Sequence, residues 1–178
     1  MAVKLFPITQ DELRSFVEDA VNEYANDMIK AEEHSDFKKA YKLSQKATLP
    51  YFKHEGLVKQ QLVLNILDSD AEDKKVGRIW ISVLDGKTAW ISYFVIQPEF
   101  RNQGFGKATL HAVEELLYPF GIRRMELNAF HDNSVARNLY AKIGYQVVRE
   151  SNPTGNDKPT SRYLMAKELH KDETKPAK

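Results

Sequence analysis

Apolar positions recur along the chain with two different periods, and the change of period marks out its regions. From Leu13, the residues Phe16, Val17, Ala20, Val21, Tyr24 and Met28 fall at three- and four-residue steps, which lines one face of a long helix. Thr9-Gln10-Asp11-Glu12 has capping-box spacing, in which Thr9 accepts from the first turn and Glu12 reaches back. A second helix is predicted after Ser35 as its cap, with Phe37, Ala40, Tyr41, Ser44 and Ala47 on one side and Pro50 as its stop. Val3 to Phe6 reads as a short strand ahead of both.

The period then changes. Gln61 to Leu67, Val76 to Leu84 and Thr88 to Ile96 are rich in Val, Ile, Trp and Tyr and read as strands. Asp85-Gly86 predicts a two-residue hairpin between the last two, because glycine takes positive φ readily. The acidic run Asp68 to Asp73 reads as a solvated loop. After Pro98 a glycine-containing loop opens a helix with Ala108, Leu110, Val113, Leu117 and Phe120 as its buried stripe. Arg124 to Phe130 reads as a strand, and Ser134 to Ile143 as a helix between an Asn133 cap and Gly144. Tyr145 to Glu150 and Arg162 to Leu169 complete the strands, separated by a loop from Ser151 to Thr160. The expectation is one α/β (α+β) domain over residues 1–170, with a mixed sheet covered by helices on both faces. Residues 171–178 are expected to form a disordered charged tail.

Composition changes the picture by exclusion. A chain of 178 residues suits one core. The net charge of +1 supplies no global field toward nucleic acid or membrane, so neither is an expected partner and any anion site must be local. The absence of cysteine removes disulfides, Cys-ligated zinc and a thiol nucleophile, and no metal is expected. The near-apolar stretch Ala89 to Ile96 is far too short to span a bilayer. Pro7 and the polar residues after it interrupt any signal core, so the cytoplasm is the expected location.

The segment richest in chemistry is Arg101-Asn102-Gln103-Gly104-Phe105-Gly106-Lys107, between a strand and a helix. Glycines allow close backbone approach. The first amides of a helix lack intrahelical acceptors and the helix dipole favours an anion there, so the segment has the parts of a pyrophosphate cradle. A Walker loop would need glycine at Arg101 and Ser or Thr at Ala108, and a dinucleotide fingerprint would need glycine at Thr109. Neither pattern is met.

Arg101-x-x-Gly104-x-Gly106 resembles the acyl-CoA pyrophosphate motif of the GNAT acetyltransferases. A second segment agrees: Asn133-x-x-Ala136-x-x-x-Tyr140-x-x-x-Gly144-Tyr145 is similar to that family's Asn, Ala, Tyr and Gly-aromatic pattern, in the right order. The resemblance covers Val76 to Leu169 and implies a mostly antiparallel sheet of six to seven strands. It implies acetyl-CoA as co-substrate and direct attack on the thioester by a primary amine of a small molecule or peptide. Main-chain groups of Phe94, Val95 and Ile96 would pair with the pantetheine arm. The amides of Gln103, Gly104, Phe105, Gly106, Lys107 and Ala108 would take the pyrophosphate, with Arg101 and Asn102 in the same loop. Asn133 would bond the pantetheine, Tyr140 would act as general acid for the leaving thiolate, and the Phe94 amide would face the developing oxyanion.

The sequence departs from the family in one respect. Many members carry a Glu on the strand before the loop, whereas Ala89 to Ile96 holds no carboxylate. Tyr93, Asn128, His131 and Asp132 are the nearest polar alternatives, and the general base is left unassigned. Glu18, Glu23, Asp27, Glu32 and Glu33 offer acidic groups for a cationic acceptor, on spacing that equally suits the polar face of a helix. The missing carboxylate leaves a second reading, an idle acyl-CoA-binding or regulatory domain. A homodimer stays open.

Overall fold

The computed structural model describes residues 2–53, 56, 57, 60–152 and 161–170. The loop residues 153–160 and the expected tail 171–178 lie outside these. In chain order the elements are β1 (Val3–Pro7), α1 (Gln10–Lys30), α2 (Phe37–Thr48), β2 (Phe52–Lys53), β3 (Gly56–Leu57), β4 (Gln61–Asp68) and β5 (Lys74–Val83). They continue with β6 (Thr88–Ile96), α3 (Phe105–Leu117), β7 (Arg124–Phe130), α4 (Ser134–Lys142), β8 (Gln146–Ser151) and β9 (Arg162–Glu168).

Seven strands form one sheet in the order β1-β4-β5-β6-β7-β9-β8, antiparallel except where β6 meets β7. Period-two alternation sends neighbouring side chains to opposite faces. Leu64, Ile66, Ile79 and Ile81 join Leu110, Val113 and Leu117 of α3 in the main core. Val63 and Trp80 join Leu13, Phe16 and Ala20 of α1 in a second one. Each such side chain contributes roughly 1.5–3 kcal/mol by leaving water. The helices therefore lie on both faces, as the sequence predicts.

The local devices differ in detail from expectation. The Thr9–Glu12 capping box is present in full. Asp36, rather than Ser35, caps α2, its carboxylate accepting from the Lys38 amide at 2.8 Å. Ser35 stands one residue too early. The β5–β6 connection is longer than a two-residue hairpin: Leu84 N–H bonds Thr88 O, and the Asp85 carboxylate accepts from the amides of Lys87 and Thr88. Phe120 leaves the predicted stripe and is 78% exposed, because α3 ends at Leu117 and a 3-10 turn follows. The short β2–β3 pair has no counterpart in the sequence reading.

One interruption of the sheet positions everything that follows. β6 and β7 pair only from Thr88 with Arg124 to Ile91 with Leu127, although both strands run on. At the same point the β5–β6 register slips between Trp80 with Tyr93 and Ile81 with Ile91, leaving Ser92 as the extra residue of a bulge. Ser92 Oγ lies 3.0 Å from Ser82 Oγ, and Gln61 Oε1 accepts from both Ser82 and Trp80. Beyond the bulge β6 bends away, and a wedge opens between it and β7.

Candidate active site

The wedge exposes one edge of β6, and the ladder decides which main-chain groups it presents. Gln97 N–H donates to Val76 O at 2.9 Å, so Val76–Gln97 and, two residues on, Arg78–Val95 are hydrogen-bonded pairs with β5. Phe94 and Ile96 fall on the alternate positions, so their N–H and C=O groups point into the wedge. Val95 directs its main chain at β5 instead, although the residue still lines the larger cavity. Ile96 O is already taken by Arg101 Nε at 2.9 Å. The open donors of this edge are the amides of Phe94 and Ile96.

At the mouth of the wedge the loop Arg101–Gly104 turns into α3. Asn102 has φ +58° and Gly104, the N-cap, has φ +89°, a left-handed conformation that glycine accepts without strain. The first bond closing the helix runs from Ala108 N–H to Gly104 O at 3.0 Å. The Ala108 amide is therefore consumed inside the helix, and the amides of Phe105, Gly106 and Lys107 are the ones left at its N-terminus. The Phe105 side chain is buried against Phe100, and Gln103 Nε2 donates to Glu99 O, so these two side chains support the loop. Arg101 fastens the end of β6 through Ile96 O.

On the far side of the wedge stands α4. Asn133 caps it, Oδ1 accepting from the Ala136 amide at 3.1 Å. Tyr140 is buried, and burial raises its hydroxyl well above the usual phenol range, so it stays protonated at neutral pH.

These elements enclose two adjoining cavities. The larger, about 1030 Å³, runs along the glycine loop past Arg101, Asn102, Gly104, Gly106 and Lys107. The smaller, about 480 Å³, lies under α1 and has the aromatic walls Tyr24, Tyr51, Trp80, Trp90 and Tyr93. Glu23, Asp27, Phe94, Asn133 and Tyr140 line both. Gln103, Phe105 and Ala108 contribute no side chain to either.

The acidic groups sort themselves by position. Glu23 reaches solvent through the cavity mouth, yet its carboxyl is pushed above the ordinary carboxylate range, chiefly by desolvation, with Asp27 and Asp19 adding to the effect. Asp27 is raised for the same main reason and lies 3.7 Å from Lys30. Asp132 lines only the larger cavity and Asn128 only the smaller. His131 lines neither and stacks on Tyr163, its Nδ1 3.0 Å from the phenol oxygen. Glu33 is held by Arg162 and Ser161 in a buried network. Glu18 and Glu32 are exposed and line neither cavity. Helix periodicity alone could not single out Glu23, because the pairing of α1 with the wedge is set by tertiary packing.

A sheet split beside a glycine loop, with helix amides at its mouth, defines a fold for binding an extended phosphorylated acyl donor. The model of the Acetyltransferase (GNAT) family matches residues 19–145, and the chain belongs to that family. It is an acetyl-CoA-dependent acetyltransferase. An uncharacterized N-acetyltransferase, YycN of Bacillus subtilis, is 28% identical over 149 residues, covering 82% of this chain and 94% of the relative. Its crystal structure superposes with a TM-score of 0.76 at 24% identity, covering 84% and 96% of the two chains. The PaiA N-acetyltransferase of Thermoplasma acidophilum, solved with coenzyme A, shares the fold at TM-score 0.60 and 20% identity, covering 94% and 99%. A Vibrio cholerae spermidine N-acetyltransferase, solved with CoA and spermine, shares it at 0.61 and 17%, covering 94% and 95%. Among the described residues no helix is long and apolar enough to cross a membrane, and no acidic or histidine cluster has metal-binding geometry.

Proposed function

We propose that this chain passes the acetyl group of acetyl-CoA to a primary amine of a small molecule or peptide, by direct attack in a ternary complex. The observation that carries the reading is the meeting of two cavities at one shared wall. The donor occupies the larger cavity. The α3 amides of Phe105 to Lys107 and the rim charges Arg101 and Lys107 face its diphosphate, and the Phe94 and Ile96 amides and Asn133 face its pantetheine. The acceptor enters the smaller cavity. The Vibrio cholerae fold relative, crystallised with spermine, takes an acceptor of this amine class.

The reacting atoms then meet beside Phe94 and Tyr140. The Phe94 N–H points into the wedge, where a thioester oxygen gaining negative charge finds a fixed donor. Tyr140, protonated and shielded from bulk water, gives its proton to the departing sulfur. No residue need become acylated, because the amine nitrogen is itself the nucleophile.

The test is free-thiol release from acetyl-CoA with a panel of alkyl monoamines, diamines, polyamines and peptides with free N-termini, together with calorimetry of coenzyme A binding. Amine-dependent release with binding supports the reading. Tight binding with no release across the panel favours the idle acyl-CoA-binding domain instead.

A further inference from the structure

An amine of pKa near 10 is only about one part in a thousand neutral at pH 7. The nitrogen that attacks becomes strongly acidic as its bond to carbon forms, so a base beside it that takes a proton at that moment speeds the transfer. β6 carries no carboxylate for this purpose. The helix packed over the wedge does.

Among the described residues, Glu23 and Asp27 are the two carboxylates that line both cavities. They lie one helical turn apart on α1. Lys30 lies beside Asp27, whereas the strongest influence favouring the charged form of Glu23 comes from a neutral donor, the Tyr93 hydroxyl. Tyr93 is well fixed for that role. Its ring packs edge-on to Phe16 at 5.4 Å between centroids, and it is paired across the ladder with Trp80, next to the Ser92 bulge. The Tyr93 side chain thus stands on the α1 face of β6, while that of its neighbour Phe94 packs on the α3 face.

We propose that Glu23 is the base that takes the acceptor's proton, with Tyr93 as its positioning residue. The inference deepens the acetyl-transfer reading and rests on it. In the step, the acceptor attacks as the neutral amine, and one of its N–H protons passes to the Glu23 carboxylate as the nitrogen gains positive charge. The nitrogen lone pair forms the C–N bond, the C–S bond breaks, and sulfur takes the Tyr140 proton. Once the thiol leaves and water enters the cavity, Glu23 gives up its proton and Tyr140 regains one, so the sum is thioester plus amine to amide plus thiol. The raised affinity of Glu23 for protons brings its basicity closer to the working pH.

The groups around Glu23 define how it titrates. Asp19 and Asp27 on α1 raise its proton affinity, while Tyr93 on β6 and Arg101 in the loop lower it. Arg78 on β5 bonds Asp19 at 3.1 Å and faces Tyr93. Lys30, Asp132, Tyr140 and Arg162 line the surrounding cavities. A base must be unprotonated, so kcat/KM rises with pH through the Glu23 pKa.

The experiment compares the wild-type chain with E23Q, D27N and Y93F, using the panel amine that the wild type turns over fastest. Glu23→Gln lowers kcat/KM about 10²-fold and erases the Glu23 limb of its pH profile, leaving only the rise set by the amine's own titration, with coenzyme A affinity unchanged. Asp27→Asn moves that limb to lower pH, because a neighbouring negative charge is gone. Tyr93→Phe moves it to higher pH, because a donor to the carboxylate is gone. A ¹³C titration of Glu-labelled protein, assigned by E23Q, reads the same pKa without any substrate, above the ordinary value of 4.5. An E23Q enzyme with wild-type rate and limb, or a Glu23 resonance titrating at or below that value, overturns the assignment while leaving acetyl transfer intact. A wild type that binds coenzyme A but acetylates no amine removes the reaction and this assignment together.

Discussion

Gly106 of α3 and Leu139 of α4 meet so closely that a Cβ on the glycine would stand 2.9 Å from Leu139 Cδ2. The glycine is thus a contact between two helices as well as part of the loop. The atom in the way is the far end of a flexible side chain that lines the larger cavity beside Tyr140. Gly106→Ala should shift Leu139 into that cavity and weaken coenzyme A binding about tenfold, an effect of roughly 1.4 kcal/mol. Thermal melting should move by only a few degrees. Adding Leu139→Ala should restore much of the affinity in calorimetry. Unchanged affinity in the single variant would show that the cavity is not the donor site.

Tyr140→Phe keeps the ring in the core and removes one proton. Turnover should fall by up to ~10²-fold in a free-thiol assay, while the Kd for coenzyme A stays within a factor of about two. A variant with full activity would take the general acid away from α4.

Glu12 offers a stability test away from the site. Its bond to Lys75 at 2.6 Å, aided by Asn65 and the Thr9 cap, holds its carboxyl at about 2, against an ordinary 4.5. A depressed pKa means stabilisation that is complete above the ordinary value and fades as the pH falls toward the folded one. Glu12→Gln should cost roughly 2 kcal/mol in urea denaturation at pH 7. The gap between the two proteins should narrow steadily from about pH 4.5 downward.

Arg162 and Glu33 join β9 to the turn that follows α1. The Glu33 side chain is only 1% exposed, and Arg162 bonds it through both Nε and Nη2. Arg162→Ala should destabilise the chain by roughly 3–5 kcal/mol, because it strands a buried carboxylate. Pairing it with Glu33→Gln should recover part of the loss in chemical denaturation.

The sequence made some of this visible and concealed the rest for physical reasons. The Thr9–Glu12 box, the Asn133 cap and the glycine loop are local devices, so residue type and spacing reveal them. The helix stripe failed at Phe120 because a 3-10 turn changes the period without changing composition. Val95 and Ala108 illustrate another limit: the direction of a main-chain amide depends on ladder phase and helix start, which no side chain reports. The approach of Glu23 to Tyr93 depends on how a helix lies across a sheet, and its spacing along α1 resembles any solvated face.

The phase of β6 also has a dynamic consequence. Exchange of its amides with deuterium should alternate along the strand, slow at Val95, which is anchored to Arg78, and fast at Phe94 and Ile96. Coenzyme A should quieten the two fast positions and leave the slow one as it was. Residue-resolved NMR would then give a footprint of the donor in the wedge before any acceptor is known.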